Sequence, residues 1–175
     1  MPLHTETHTL PAAGPGVARR LTVLRWRGAQ PGPKAYLQAA VHADEIPALL
    51  VAQQLREQLA ALDAEGRLRG EIVLVPYANP IGLTQFLMGW HLGRYELDSG
   101  QNFNRGFPDL FDAVAAAVDG RLGADAAANV ATIRAATHAA LPTEVPAAEN
   151  AALKQLLYRL ACDADLVLDL SLIHI

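Results

Sequence analysis

A histidine and a glutamate stand where a buried strand is expected to end and a helix to begin. The stretch AAVHADEIPALL (39–50) places His42 three positions before Glu45. Ligands of α/β proteins collect at the carboxyl ends of strands, where loops and helix starts converge. A tight bend there can bring both side chains within about 2 Å of one point, as zinc ligands require. Alternatively, Glu45 stabilises the helix N-terminus and His42 is a hydrogen-bonded edge residue.

A second polar cluster lies in the run GRYELDSGQNFNRGFP (93–108). It contains Arg94, Asn102, Asn104 and Arg105 within twelve positions. A guanidinium fork beside a primary amide suits the terminal carboxylate of an amino-acid substrate, because arginine binds carboxylates with two parallel hydrogen bonds. The alternative is a solvated loop whose arginines have no function.

The elements expected to carry these clusters form a strand–helix–strand unit. Residues 21–28 alternate and predict a strand, and the evenly apolar residues 35–42 predict a strand covered on both faces. Apolar residues recur at helical spacing over 46–62, and a second buried strand follows at 71–80. The short connections favour parallel pairing with a right-handed crossover.

The remaining segments are expected to be a lead-in, a loop, a helical insert and a third strand. Residues 1–18 are polar and then rich in Pro and Gly, which predicts a flexible lead-in. Residues 81–109 show little periodicity and predict a long functional loop. The Ala- and Leu-rich residues 109–162 predict a helical insert, and 163–170 predict a buried strand. One domain is therefore expected over 19–170.

Composition narrows the class of protein. Apolar residues make up 51% of the 175 and charged residues 18%, so the chain can bury a core. A net charge of −4 without a basic run argues against a nucleic-acid partner. Cys162 is the only cysteine, which favours a reducing compartment. No secretory signal or membrane-length apolar run is visible, so we expect a cytoplasmic protein without a membrane partner.

Four motifs in order resemble the succinylglutamate desuccinylase/aspartoacylase family of the zinc carboxypeptidase superfamily. They are H-x-x-E after a strand, N-P after the next strand, an R-Y pair, and N-x-N-R-x-F-P, and they extend from about Tyr36 to Pro108. The resemblance implies a three-layer α/β/α fold with a mixed, largely parallel sheet. It also implies a zinc ion bound by two histidines and a glutamate.

The resemblance implies a role for each motif residue. His42 and Glu45 match the first two zinc ligands. Asn104 and Arg105 match the pair that holds the substrate carboxylate, and Arg94 matches the arginine that polarises the scissile carbonyl. The implied reaction is hydrolysis of the amide bond of a small N-acyl amino acid.

The third zinc ligand and the general base have no match. The family's next strand ends D-L-H, whereas this one ends D-L-S at 169–171, and serine is a poor neutral zinc ligand. The letters LSLIHI (170–175) back-translate to a sequencing-library adapter, so we expect a non-native tail there and do not assign His174 as a ligand. We therefore expect a truncated, inactive chain with a fold incomplete at its C-terminus.

Two alternatives remain open. A zinc carboxypeptidase acting on peptide C-termini would share the ligands and the carboxylate-binding arginine. A non-enzymatic α/β module that binds a small carboxylate without metal is favoured if Ser171 is native.

Overall fold

A five-stranded mixed sheet organises the computed structural model, which describes residues 3–171. The expected non-native tail therefore lies outside the described residues except for positions 170 and 171. The elements in chain order are β1 (His4–Thr9), β2 (Arg20–Arg27), β3 (Gln30–Ala39), α1 (Pro47–Ala64), β4 (Arg69–Val75), β5 (Phe86–Leu87), β6 (Trp90–His91), α2 (Phe111–Val118), α3 (Ala126–Ala140), α4 (Glu149–Ala161) and β7 (Leu166–Leu170).

The strand–helix–strand unit is confirmed. β3 and β4 are parallel neighbours joined through α1, with Tyr36 opposite Val73 and Leu37 opposite Leu74. The sheet order is β1-β2-β4-β3-β7, with antiparallel pairing for β1/β2 and β2/β4 and parallel pairing for β4/β3 and β3/β7. The mixed α/β fold is thus confirmed, with its four pairings divided evenly between the two kinds.

Two apolar cores, one on each face of the sheet, produce three layers. On one face, Leu24, Trp26 and Leu74 pack with Ala48, Ala52 and Leu59 of α1. On the other face, Val23, Tyr36, Val73 and Val75 pack with Leu153, Leu157 and Leu160 of α4. The helical spacing of each set presents one apolar stripe to the sheet, which is why these segments fold as covering helices.

The expectation of a flexible lead-in is wrong for residues 4–9. This segment is β1, which pairs antiparallel with β2 from His4 opposite Arg25 to Thr9 opposite Arg20. The sequence HTETHT places a β-branched threonine at every second position, which suits an edge strand. The sequence did not predict this strand because its side chains are polar. The segment therefore lacks the alternation of apolar residues that identifies a half-buried strand.

The region 109–162 contains three helices, and the last of them belongs to the core. The Asp125 side chain accepts hydrogen bonds from the backbone N–H groups of Ala127 and Ala128 and so caps α3. The loop over 81–109 carries only a short 3-10 turn and the two-residue strands β5 and β6.

The third strand is present, but the expectation that it is buried is wrong. In β7, the exposed fractions are 51% for Leu166, 52% for Val167 and 40% for Leu168. β7 pairs with β3 on one side, and no strand among residues 3–171 pairs with its other edge. The apolar sequence specifies a strand that can be buried, whereas the described residues cover only part of it. No helix in the same range is long and apolar enough to cross a membrane.

Candidate metal site and carboxylate-binding loop

The turn after β3 is bent sharply and held in place from the side. Ala40 adopts a left-handed backbone conformation with φ 59° although it is fully buried, which L-residues adopt only at a cost in strain. Asn79 Nδ2 donates to the Val41 carbonyl at 2.8 Å, and Asn79 Oδ1 accepts the Gly82 N–H at 2.8 Å. The turn after β4 thereby fixes the direction in which His42 leaves the sheet.

His42 and Glu45 converge as the sequence predicts. His42 Nδ1 lies 3.4 Å from Glu45 Oε1, and only 8% and 3% of the two side chains are exposed. Zinc–ligand bonds of about 2.0–2.2 Å at a tetrahedral angle place two donor atoms roughly 3.4 Å apart. The two atoms therefore have the spacing and the chemistry of two ligands of one ion.

Gly93 allows Arg94 to reach the same point. A Cβ at Gly93 would lie 2.3 Å from the Asp44 nitrogen, and the Gly93 carbonyl accepts the Ala43 N–H at 2.8 Å. From this closely packed backbone, Arg94 Nη2 donates to Glu45 Oε1 at 2.9 Å, and Nη1 lies 3.3 Å from His42 Nδ1. Arg94 is thus brought to the predicted site, and its ion pair neutralises Glu45.

The loop at 102–105 reaches the site through its asparagines. Asn102 Oδ1 lies 2.8 Å from His42 Nε2 and accepts the Asn104 N–H at 2.8 Å. Asn104 Nδ2 donates to Asp169 Oδ2 at 2.9 Å. Arg105 stands apart, with its exposed guanidinium donating to the Asn104 carbonyl at 2.7 Å. Asn104 is therefore linked to the site, whereas the exposed Arg105 guanidinium bonds to the backbone carbonyl of its neighbour.

Charges around Glu45 favour its ionised form. Burial alone raises the pKa of this carboxyl, but hydrogen bonds from Ser171 and Arg94 and the nearby His42 outweigh it, so the pKa lies below its ordinary value. An ionised carboxylate is the form that binds a metal ion.

Asp169 anchors the other end of the loop. Desolvation raises the pKa of Asp169, although hydrogen bonds from Asn104 and Gln38 oppose it. Tyr36 donates to Gln38 Oε1 at 2.8 Å, and burial raises the pKa of Tyr36. Asp169 thus lies opposite Gln38 of the core strand β3 and receives a hydrogen bond from Asn104 of the loop.

Among residues 3–171, two side chains at this turn have the type and spacing of zinc ligands, and no third one joins them. Within residues 3–171, no group of three or more His, Cys, Asp or Glu side chains is arranged to hold a metal ion. Ser171 stands at the position that the resemblance gives to the third ligand, and it contributes to the lowered pKa of Glu45. The imidazole and the carboxylate fit zinc in type and spacing, and position 171 borders the same point.

The sequence identifies the family of the chain. A sequence model of the succinylglutamate desuccinylase/aspartoacylase catalytic domain matches residues 31–141, which is more than half of the chain. The chain belongs to this family. No curated protein matches the sequence.

Solved structures of the succinylglutamate desuccinylase/aspartoacylase family share the fold. A protein described as succinylglutamate desuccinylase/aspartoacylase from Shewanella frigidimarina NCIMB 400 superposes with a TM-score of 0.80 at 25% identity. A family protein from Shewanella amazonensis SB2B gives 0.76 at 28% identity. Each match covers 95% of this chain but only 45% and 46%, respectively, of the relatives' chains. An aspartoacylase family protein from Mesorhizobium loti, 19% identical over 95% of this chain and 39% of its own, shares the fold with a TM-score of 0.56.

Three residues of this family member contribute to the site without having been assigned a role from sequence. Asn79 forms a side-chain turn with Gly82, and it also holds Val41 beside the site. Asn102 and Asp169 act through contacts to His42 and Asn104. Each residue lay inside a quoted motif, which was the available signal. The contacts themselves join positions 38 to 65 residues apart, so local spacing could not reveal them.

Proposed function

We propose that the chain carries part of the active site of a zinc-dependent amidohydrolase that removes the acyl group from an N-acyl amino acid. The observation that carries the proposal is the 3.4 Å separation of His42 Nδ1 and Glu45 Oε1, with Arg94 on both. The chain spans less than half the length of the relatives' chains, so the activity of a whole protein is part of the proposal.

His42 and Glu45 are the residues that would hold the ion. When bound, zinc supplies Lewis acidity, which polarises an amide carbonyl and lowers the pKa of bound water. Neutral imidazole and ionised carboxylate are the protonation states required for this binding. The lowered pKa of Glu45 agrees with the second requirement.

The arginines would position and polarise the substrate. The Arg94 guanidinium is always charged and lies beside the two donors, where it can stabilise negative charge on a carbonyl oxygen. Arg105 presents an exposed planar fork that can bind the substrate carboxylate with two hydrogen bonds. One N–H of Asn104 is engaged by Asp169, so its second N–H would assist Arg105.

We further propose that the 175-residue chain alone does not turn over substrate. It offers two donors where a catalytic zinc site has three, and no general base is assigned among the described residues. Hydrolysis of N-acetyl and N-succinyl amino acids, measured by release of free amine with added Zn²⁺, should stay at the uncatalysed rate. Zinc-dependent turnover by this chain would contradict the incomplete site.

Metal uptake tests the site directly. Equilibrium dialysis against Zn²⁺ with elemental analysis should show weak binding at one site, and His42→Ala should remove it. His4→Ala is the matched control, because this histidine lies in β1 with 70% of its side chain exposed. Equal zinc content in wild type and the His42 variant would reject the proposed ligands.

A second candidate is a metal-free module that binds a small carboxylate. The observation in its favour is the Arg94–Glu45 ion pair at 2.9 Å, which neutralises Glu45 without a metal. Calorimetry with succinate and N-acetylaspartate in the presence of a chelator separates the two. Binding that is unaffected by the chelator, together with no zinc uptake, would favour the module.

An assay of substrate preference is needed to separate the deacylase from the carboxypeptidase. In a polypeptide of the relatives' full length, we propose cleavage of compact N-acyl amino acids in preference to peptides. Parallel assays with both substrate classes would decide between them.

A further inference from the structure

A cavity beside the first turn of α4 is lined by charged and polar side chains that have no role in the candidate metal site. It has a volume of about 580 Å³ and lies between the loop at 96–101 and the N-terminal end of α4. Its lining includes Arg19, Glu96, Asp98, Glu149 and Asn150. Among the described residues, those that line this cavity are distinct from those assigned to the metal site.

Two buried oxygen atoms on adjacent lining residues lack a hydrogen-bond donor. Only 8% of Glu149 and 3% of Asn150 are exposed. Glu149 Oε2 accepts from Arg19 Nη1 at 2.6 Å, whereas no group among residues 3–171 donates to Glu149 Oε1. Asn150 Nδ2 donates to Glu96 Oε2 at 3.1 Å. Because a carboxylate oxygen accepts, the amide nitrogen must face Glu96, and Asn150 Oδ1 is left without a donor in the same range.

These two oxygen atoms point to a ligand that carries hydrogen-bond donors. A buried acceptor without a donor is costly, since it has lost its hydrogen bonds to water and gained none in return. Buried polar groups in folded proteins are therefore nearly always paired. The partner that Glu149 Oε1 and Asn150 Oδ1 require must present N–H or O–H groups.

The charges around the cavity show that this ligand is a cation. Among the described lining residues, the carboxylates of Glu96, Asp98 and Glu149 face a single guanidinium, that of Arg19, which leaves an excess of two negative charges. The positive end of a helix such as α4 contributes only about half an elementary charge. A cleft with such an excess attracts cations, and a bound water molecule would not neutralise it.

We propose that this cavity binds an organic ligand through a primary ammonium group. An ammonium carries one positive charge and three N–H donors, so it supplies both the charge and the donors that the cavity lacks. A divalent metal ion is disfavoured, because no three His, Cys, Asp or Glu side chains among residues 3–171 are arranged to hold one. This inference does not depend on the proposed function.

Titration of the 175-residue chain with putrescine, which has a primary ammonium group at each end, tests the site. In ¹H–¹⁵N spectra, we expect saturable shifts of the backbone amides of 96–99 and 149–151 and of the Asn150 side-chain amide. The fully N-methylated analogue of putrescine is the matched control ligand, because it keeps both charges but has no N–H donor. It should leave these signals unchanged at the same concentration.

A substitution at Glu149 provides the second arm of the test. Glu149→Gln removes one charge and replaces an acceptor by an amide N–H group, so it should weaken putrescine binding by about 10- to 100-fold. Glu65→Gln is the control variant, because 55% of the Glu65 side chain is exposed and it pairs with Arg67. We expect no change in affinity for this variant.

The outcomes decide the inference even if Glu149→Gln does not fold, because the two ligands are compared on the wild-type chain. Absence of putrescine binding would overturn it, since both acceptors would then be hydrogen-bonded to water. Equal affinity for the N-methylated analogue, or equal affinity of wild type and Glu149→Gln, would also overturn it. Ca²⁺ that shifts the same amides at lower concentration than putrescine would identify a metal site instead. Zinc uptake at His42 is measured independently, so either result leaves the proposed function to its own test.

Discussion

β4 and β7 flank the same strand and have similar apolar sequences, yet their burial is opposite. Leu74 of β4 and Leu168 of β7 both lie opposite Leu37 of β3. Leu74 is fully buried, whereas 40% of Leu168 is exposed. Parallel strands normally have both faces covered. The comparison shows that apolar sequence makes a strand suitable for burial, while the elements packed around it determine whether burial occurs.

The two sides of the candidate site, next to β4 and next to β7, also differ from each other. On the β4 side, the buried Asn79 holds the turn that carries His42. On the β7 side, the strand leads to Ser171, which helps to lower the pKa of Glu45 but is a poor zinc ligand. The β4 side of the site is therefore preorganised, whereas on the β7 side no residue up to position 171 joins His42 and Glu45 as a third metal ligand.

Matched leucine truncations should give the largest difference between the two strands. Leu74→Ala removes a fully buried side chain and should lower the free energy of unfolding by about 3 kcal/mol. Leu168→Ala removes a partly exposed one and should cost less than about 1 kcal/mol. Urea denaturation followed by circular dichroism measures both. Equal losses would mean that β7 is covered in solution, for example by association of chains.

Replacement of Ser171 by histidine should add a third metal donor to the candidate site. Ser171→His places an imidazole beside Glu45, and a third protein donor should tighten zinc binding by about 100-fold, or about 2.8 kcal/mol. Ser171→Asn is the control, because it adds a side chain without a strong zinc donor. Competition titration with a chromogenic chelator measures the affinity. If Ser171→His gains as much in a His42→Ala background, the new histidine binds zinc elsewhere.

Local pattern was sufficient to predict the elements that carry the site. The apolar spacing of Ala48, Ala52 and Leu59 specified α1, and the bend between β3 and α1 brought His42 to Glu45. These features depend on neighbours within a few positions, so sequence reveals them. The position of Arg94 beside Glu45 could be inferred only from the resemblance to the family, since the two residues are 49 positions apart in the sequence.

Features set by distant contacts could not be read from the sequence. β1 is polar and is specified as a strand by pairing with β2 rather than by an apolar face. The role of Asn102 depends on His42, 60 residues away. The exposure of β7 depends on what packs against it, which its own residues do not encode.

Strand β1, at the edge of the sheet opposite β7, carries an ion pair whose contribution to stability depends on pH. We expect this contribution to be smaller than the effects above. Arg25 bonds to Glu6 at 2.8 Å and also to Glu71. The hydrogen bond from Arg25 is the main cause that lowers the pKa of Glu6 below its ordinary value of 4.5. Since the folded pKa is the lower one, this stabilisation is complete above about pH 4.5 and is lost as the pH falls through the folded pKa.

Glu6→Gln should therefore make the free energy of unfolding less sensitive to acidic pH. At neutral pH we expect a loss of about 1 kcal/mol or less, because 24% of the Glu6 side chain is exposed. The loss should shrink as the pH falls below 4.5, since protonation already weakens the wild-type pair. Thermal unfolding across this pH range measures it. Glu65→Gln is the control, because Glu65 pairs with Arg67 at 2.9 Å with 55% and 66% of their side chains exposed. An equal effect of both substitutions would show that general surface charge, rather than the Arg25 pair, protects the β1 edge.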